Sequence, residues 1–129
     1  MKSIVICCSN KFAQEATAFA GRLRELGANV IEPYYYDKSG GDWSRLHPFD
    51  KQFVAMGLTR DHFHKISLAD VVFFYNLDGY FGNSTTMELG FAAALGKPVY
   101  ALSDKDPELC RKILIREFVG TPEELVKKL

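Results

Sequence analysis

A chain of 129 residues, 47% apolar and 25% charged, holds enough material for one globular domain with a core and too little for two. Sixteen basic residues balance sixteen acidic ones. This excludes the basic field that nucleic-acid backbones or anionic membranes require and favours a small, individually bound ligand.

Ser3 to Cys8 is a short apolar, β-branched run ending at Ser9-Asn10, and it reads as a buried strand. Phe12, Ala16, Phe19, Ala20, Leu23 and Leu26 then recur at helical spacing, with Gly27 in the stop position. Ala28 to Ile31 is a second strand, closed by Pro33. Residues 34 to 48 are the least regular part, where Tyr34-Tyr35-Tyr36 gives way to the turn-rich Asp37-Lys38-Ser39-Gly40-Gly41-Asp42. Phe49, Phe53, Met56, Phe63 and Ile66 predict a long amphipathic helix, broken near Gly57. Val71 to Tyr75 is the most apolar strand candidate, followed by a loop from Asn76 to Asn83. Ser84 to Leu95 reads as a helix stopped by Gly96. Pro98 to Leu102 is a fourth strand, Pro107 to Leu114 a short helix and Glu117 to Val119 a weak fifth strand. Thr121-Pro122-Glu123-Glu124 opens the last helix, with threonine as cap and proline at its first position.

Strands alternating with helices imply an α/β domain whose parallel sheet is covered on both faces. The expected architecture is a flavodoxin-like, doubly wound five-stranded parallel sheet of order 2-1-3-4-5, formed as a single domain over residues 1 to 129. The three cysteines, Cys7, Cys8 and Cys110, are odd in number and two are adjacent, a poor disulfide framework. They read as reduced thiols of a cytoplasmic protein. No pair has zinc-site spacing, so neither a metal nor a cofactor is expected. No apolar run reaches membrane length, and Met1-Lys2-Ser3-Ile4-Val5-Ile6 lacks the apolar segment and cleavage site of a secretory signal.

In such a sheet ligands bind beyond the carboxyl ends of the strands, where the winding reverses between strands one and three. Two polar loops meet there. The first, Cys8-Ser9-Asn10-Lys11, opens a helix, where free N–H groups and the helix dipole favour an anion. Ser9 and Lys11 could assist a phosphate or carboxylate; equally, Ser9 or Asn10 could simply cap the helix. The second loop runs from Asp78-Gly79 through Gly82-Asn83-Ser84 to Glu88, and its glycines permit close backbone approach. Glu88 falls in the first helical turn at the crevice edge. Thr85 and Glu88 also have capping-box spacing, which would make Glu88 structural. Tyr34, Tyr35, Tyr36 and Trp43 follow strand two near the same rim, where one of them could stack on a base or pack against protein.

The segment from Asp70 to Leu102, with Ala69 before it, carries Ala69-Asp70-Val71-Val72, then Asp78-Gly79, then Ser84-Thr85-Thr86-Met87-Glu88-Leu89-Gly90-Phe91-Ala92-Ala93-Ala94-Leu95-Gly96-Lys97-Pro98-Val99. This stretch resembles the nucleoside 2-deoxyribosyltransferase family, as does the opening Ile4-Val5-Ile6-Cys7-Cys8-Ser9. The resemblance covers most of the chain and thins at residues 34 to 60 and after 105. It implies that Glu88 attacks the anomeric carbon of a nucleoside or nucleoside 5′-monophosphate and displaces the base, after which another base or water resolves the glycosyl-enzyme.

The chain departs from the family where the transferases carry an aspartate six residues before the glutamate: that position is Gly82. Relatives that hydrolyse nucleotides have a phosphate-binding serine there, and they have glycine where this chain has Cys8. The family's aspartate in the helix before strand three falls on His62, beside Asp61. Asp61, His62 and Asp78 are therefore candidates to orient the sugar or protonate the base. Cys8, Ser9, Asn10, Lys11, Gly79, Gly82, Asn83 and Ser84 are candidates for substrate contact. The resemblance also implies a homodimer or larger homo-oligomer. The competing reading is a non-catalytic nucleotide-binding or sensing module on the same fold. A phosphorelay receiver, which shares this winding, is excluded because Cys7-Cys8-Ser9 offers no acidic residues to hold magnesium.

Overall fold

The computed structural model describes residues 2–129; Met1, the first residue of the expected domain, lies outside the described residues. Five parallel strands form one sheet, β1 (Ser3–Cys7), β2 (Asn29–Ile31), β3 (Val71–Phe74), β4 (Val99–Ala101) and β5 (Glu117–Phe118). Their spatial order is β2-β1-β3-β4-β5, the expected doubly wound arrangement. β3 reads Val-Val-Phe-Phe with every residue buried, the signature of a strand covered on both faces. The register pairs Cys7 with Phe74, which sets the carboxyl ends of β1 and β3 side by side.

Strand alternation sorts the core into two layers. Ile4, Ile6 and Phe73 face one side, against Phe19 and Leu23 of helix α1 (Ala13–Glu25) and Leu125 of helix α6 (Pro122–Val126). Val5, Cys7, Val72 and Phe74 face the other. There they meet Ile66 of helix α3 (Pro48–Leu68) and Leu89 and Ala92 of helix α4 (Asn83–Ala94). Cys7 therefore points toward α3 and α4, a consequence of parity alone. At the opposite end of the sheet, the Asp70 carboxylate accepts from the Ser3 backbone N–H at 2.8 Å, and the Asp70 N–H donates to Ser3 Oγ at 3.0 Å.

Several boundaries differ from expectation. α3 runs unbroken through Gly57, because one glycine costs a helix only about 1 kcal/mol. Its amino-terminal half does not bury the expected stripe: Phe49, Phe53 and Met56 are exposed. A short helix, α2 (Gly41–Arg45), lies inside the stretch expected to be irregular. α4 begins at Asn83, one residue earlier than expected, with Gly82 as its cap at φ 78°. α5 (Leu109–Lys112) is shorter than expected, since Asp106 and Glu108 form the turn that precedes it. Among the described residues no helix is long and apolar enough to cross a membrane.

Candidate active site

A cleft of about 480 Å³ opens at the carboxyl ends of the strands, within the range of small-molecule sites. Its floor and near wall come from the β1 loop, through Cys8, Ser9 and Asn10. Its far wall is the start of α4, through Gly82, Asn83, Ser84 and Glu88. Tyr34, Tyr36 and Lys38, from the segment after β2, form the rim, and His62 enters from α3. Ser9 and Glu88 thus share one cavity although distant in sequence.

The β1 loop is held on both sides. Ser9 Oγ accepts from the Lys11 N–H at 3.4 Å, a weak cap on the 3₁₀ turn 10–12 that leads into α1. Asn10 Nδ2 donates to the Tyr36 carbonyl at 2.8 Å, which ties the loop to the aromatic segment. Trp43 of α2 packs edge-on against Tyr36, with ring centroids 5.8 Å apart. Cys8 Sγ lies 3.4 Å from the Tyr35 hydroxyl, and burial pushes this thiol up to about 11, so it stays protonated.

Glu88 sits in the second turn of α4, not the first, because the helix starts at Asn83. It is not a capping-box partner of Thr85: Gly82 is the cap, and the Thr86 hydroxyl and N–H both donate to the Gly82 carbonyl. Among the described residues the Glu88 carboxyl accepts no hydrogen bond. Its side chain is only 13% exposed, and this burial pushes its pKa up to about 8.

His62 Nε2 lies 3.1 Å from Cys7 Sγ and 3.9 Å from Glu88 Oε2. Burial pulls His62 down to about 4, and the neighbouring Lys65 charge pulls the same way. Near neutral pH the imidazole is therefore uncharged, and Glu88 is mostly a protonated acid. The 3.9 Å approach is a contact between neutral groups, not an ion pair. Burial, and next the charge of Glu88, hold the Cys7 thiol well above its ordinary value. Cys7 Sγ, His62 Nε2 and a Glu88 oxygen lie within 4.8 Å of one another, the donor types that could hold a metal ion.

The remaining sequence candidates fall outside the cleft lining. Asp61 is exposed on α3 and pairs with Lys65 at 2.9 Å. Asp78 is exposed at φ 55° and borders a neighbouring depression of about 430 Å³. Gly79 borders that depression too, and its glycine answers a packing need: a Cβ there would stand 2.4 Å from the Asp106 nitrogen. The Lys11 ammonium lies 3.6 Å above the Tyr80 ring centroid. Cys7 escaped the sequence reading as a site residue. Only the parity of β1, combined with α3 crossing that face, would have pointed to it.

The architecture matches solved structures. The 2-deoxyribosyltransferase of the psychrotolerant bacterium Bacillus psychrosaccharolyticus superposes with a TM-score of 0.68 at 18% identity, covering 95% of this chain and 89% of that one. The chain has a nucleoside 2-deoxyribosyltransferase-like fold. A conserved protein of Enterococcus faecalis V583 gives 0.66 at 16% identity over 100% and 99% of the two chains. The CMP N-glycosidase of Clostridium botulinum gives 0.58 at 15% identity over 98% and 96%. No protein-family model matches the sequence, and no curated protein is similar to it by sequence.

Proposed function

We propose that this protein cleaves or transfers the N-glycosidic bond of a nucleoside or nucleoside 5′-monophosphate, with Glu88 as the nucleophile. The observation that carries the reading is the position of Glu88: among the described residues it is the only carboxylate that lines the cleft, and it shares that cleft with Ser9. The fold supports the same chemistry, since two solved proteins that share it are a 2-deoxyribosyltransferase and a CMP N-glycosidase.

In this mechanism the ionised Glu88 carboxylate attacks the anomeric carbon. The bond from that carbon to the base breaks, and its electron pair leaves on the base nitrogen, which is then protonated. Water or a second base attacks the glycosyl ester, and the carboxylate is released. Ser9 and Asn10 hold the sugar or its 5′-substituent, while Asn83 and Ser84 line the path of the leaving base. Tyr34 and Tyr36 offer aromatic faces to that base. His62, 3.9 Å from Glu88 and uncharged near neutral pH, flanks the carboxyl group, which gives up its proton to solvent before it attacks.

The proposal includes a single-domain, cytoplasmic protein that works as a homodimer or larger assembly. Exposed Phe49, Phe53 and Met56 on α3, with exposed Met87 in the cleft lining, support a contact between copies. Incubation with a panel of nucleosides and their 5′-monophosphates, followed by chromatography for free base, tests the activity. Release of base that is lost in Glu88→Ala is expected; base release that survives this change refutes the nucleophile.

A second reading, a non-catalytic nucleotide-binding module, is favoured by one observation. The cleft has no carboxylate besides Glu88, because Gly82 stands where the transferases have aspartate. Calorimetry showing tight nucleotide binding with no base released would select it.

A further inference from the structure

Cys7, His62 and Glu88 come from the end of β1, the carboxyl-terminal half of α3 and the second turn of α4. Each is anchored by a rigid element. We infer that these three side chains form a binding site for one borderline-soft divalent cation of the zinc class, held by Sγ, Nε2 and a carboxylate oxygen, with its fourth position open to the cleft.

The distances fit. Tetrahedral zinc bound to sulfur, imidazole nitrogen and carboxylate oxygen sets its donors about 3.4–3.6 Å apart, from the usual metal–ligand bond lengths. The present separations are 3.1 Å from Nε2 to Sγ and 3.9 Å from Nε2 to Oε2, and all three donors lie within 4.8 Å of one another. Both Nε2 separations stand within about half an ångström of those values, and side-chain adjustment of Glu88 at the cleft wall brings its oxygen to the sulfur. The donor set also selects the ion: a thiolate with an imidazole suits zinc or cobalt, whereas magnesium and calcium need a cage of oxygens.

The surroundings give the cluster a physical reason to take a cation. Cys7 is fully buried in an apolar layer with Val5, Ile66, Phe74 and Leu89. His62 is 5% exposed, and its Nδ1 is the one buried side-chain polar atom without a partner among the described residues. Glu88 accepts no hydrogen bond there either. Nε2 and Sγ share a single 3.1 Å contact and the Glu88 carboxyl at the cleft wall accepts no hydrogen bond among the described residues, so sulfur and carboxylate lone pairs stand free to take a cation. A cation satisfies Sγ, Nε2 and the carboxylate together. On binding, the Cys7 thiol and the Glu88 carboxyl each release a proton to solvent. The cleft wall leaves Glu88 and His62 reachable, so an ion can enter without unfolding. Occupancy ties up the Glu88 oxygen, so under the proposed glycosyl chemistry the cation inhibits; binding itself does not depend on that chemistry.

The test uses the full chain, reduced and treated with chelator. Zinc is titrated in competition with a chromophoric chelator, and cobalt(II) binding is followed by absorption. The expected result is one equivalent of zinc per chain. Bound cobalt should show a thiolate charge-transfer band in the near-ultraviolet with intense visible bands of tetrahedral coordination. Cys7→Ser removes the charge-transfer band, and Glu88→Gln weakens zinc at least tenfold while circular dichroism reports an intact fold. Because Cys7 is deep in the core, Glu88→Gln on the cleft side decides the matter if Cys7→Ser does not fold. The inference is overturned by absence of stoichiometric zinc binding, by zinc affinity unchanged in Glu88→Gln, or by a charge-transfer band that survives Cys7→Ser and disappears in Cys110→Ser. Zinc binding by a protein that turns over no nucleoside when metal-free sinks only the glycosyl reading, and metal-free turnover by a protein that binds no zinc sinks only this one.

Discussion

Replacing Glu88 with glutamine should stabilise the metal-free protein at alkaline pH and leave it unchanged at acid pH. The carboxyl has an ordinary value of 4.5 and is raised to about 8 in the fold by burial. A folded-state value above the unfolded one means that the group's contribution to stability is complete below pH 4.5. That contribution fades as pH rises and is gone above about 8. Each unit of such a shift corresponds to about 1.4 kcal/mol, so the wild type should lose a few kcal/mol relative to Glu88→Gln across this window. Glutamine has nearly the same shape, carries no charge, and meets the same walls. For a domain of this size the difference corresponds to roughly 10 °C in Tm. Urea denaturation of both proteins between pH 4 and pH 9.5, in chelator, measures it. Curves that converge near pH 4.5 and diverge toward pH 8.5 are expected. A gap that does not change with pH refutes the claim that burial holds this carboxyl neutral.

Under the proposed mechanism kcat/KM of the metal-free protein should rise about tenfold per pH unit up to about pH 8, because attack would need the carboxylate and this profile reports the unliganded state; a flat profile from pH 6 to 8 contradicts it. Gly79→Ala should destabilise by at least about 2 kcal/mol in urea melts, since φ is 83° and the added Cβ meets the Asp106 backbone at 2.4 Å. Asp106 is 1% exposed and receives two hydrogen bonds from Arg111 at 2.6 and 2.7 Å. Asp106→Ala, which leaves that guanidinium unpaired, should cost about 3 kcal/mol by the same assay. Ser9→Ala, which removes only a 3.4 Å cap, should change stability by less than about 1 kcal/mol while raising KM for the nucleoside at least several-fold. An unchanged KM would remove Ser9 from the substrate's contacts.

The fold was legible because its signals are local and repetitive. The buried runs Ile4–Cys7 and Val71–Phe74, separated by amphipathic helices, leave few windings open, and the observed order is the expected one. The meeting of the Ser9 loop with the segment around Gly82 followed from that winding. Less legible was whatever depends on a precise start or a side-chain direction. The spacing of Thr85 and Glu88 pointed to a capping box, but a positive φ at Gly82 starts α4 earlier and moves Glu88 into the cleft wall. Helix α2 is a single short turn among glycines and carries no apolar periodicity to announce it. The apolar positions Phe49, Phe53 and Met56 implied a buried stripe, yet these side chains stay exposed, and α3 buries only His62 and Ile66 in its second half. Asp61 neighbours His62 in sequence but lies about a quarter-turn around the helix, so it reaches Lys65 rather than the cleft. The approach of His62 to Cys7 joins residues from different elements, which no spacing rule reports.

The central claim is that Glu88 forms a covalent bond to the sugar. The direct measurement is peptide mapping by mass spectrometry after mixing the chelator-treated protein with the nucleoside from the panel that releases base fastest, then quenching in acid. The account predicts one sugar residue added to the peptide that contains Glu88, and none in Glu88→Gln. Rapid base release with that peptide unmodified, together with undiminished turnover by Glu88→Gln, would contradict it.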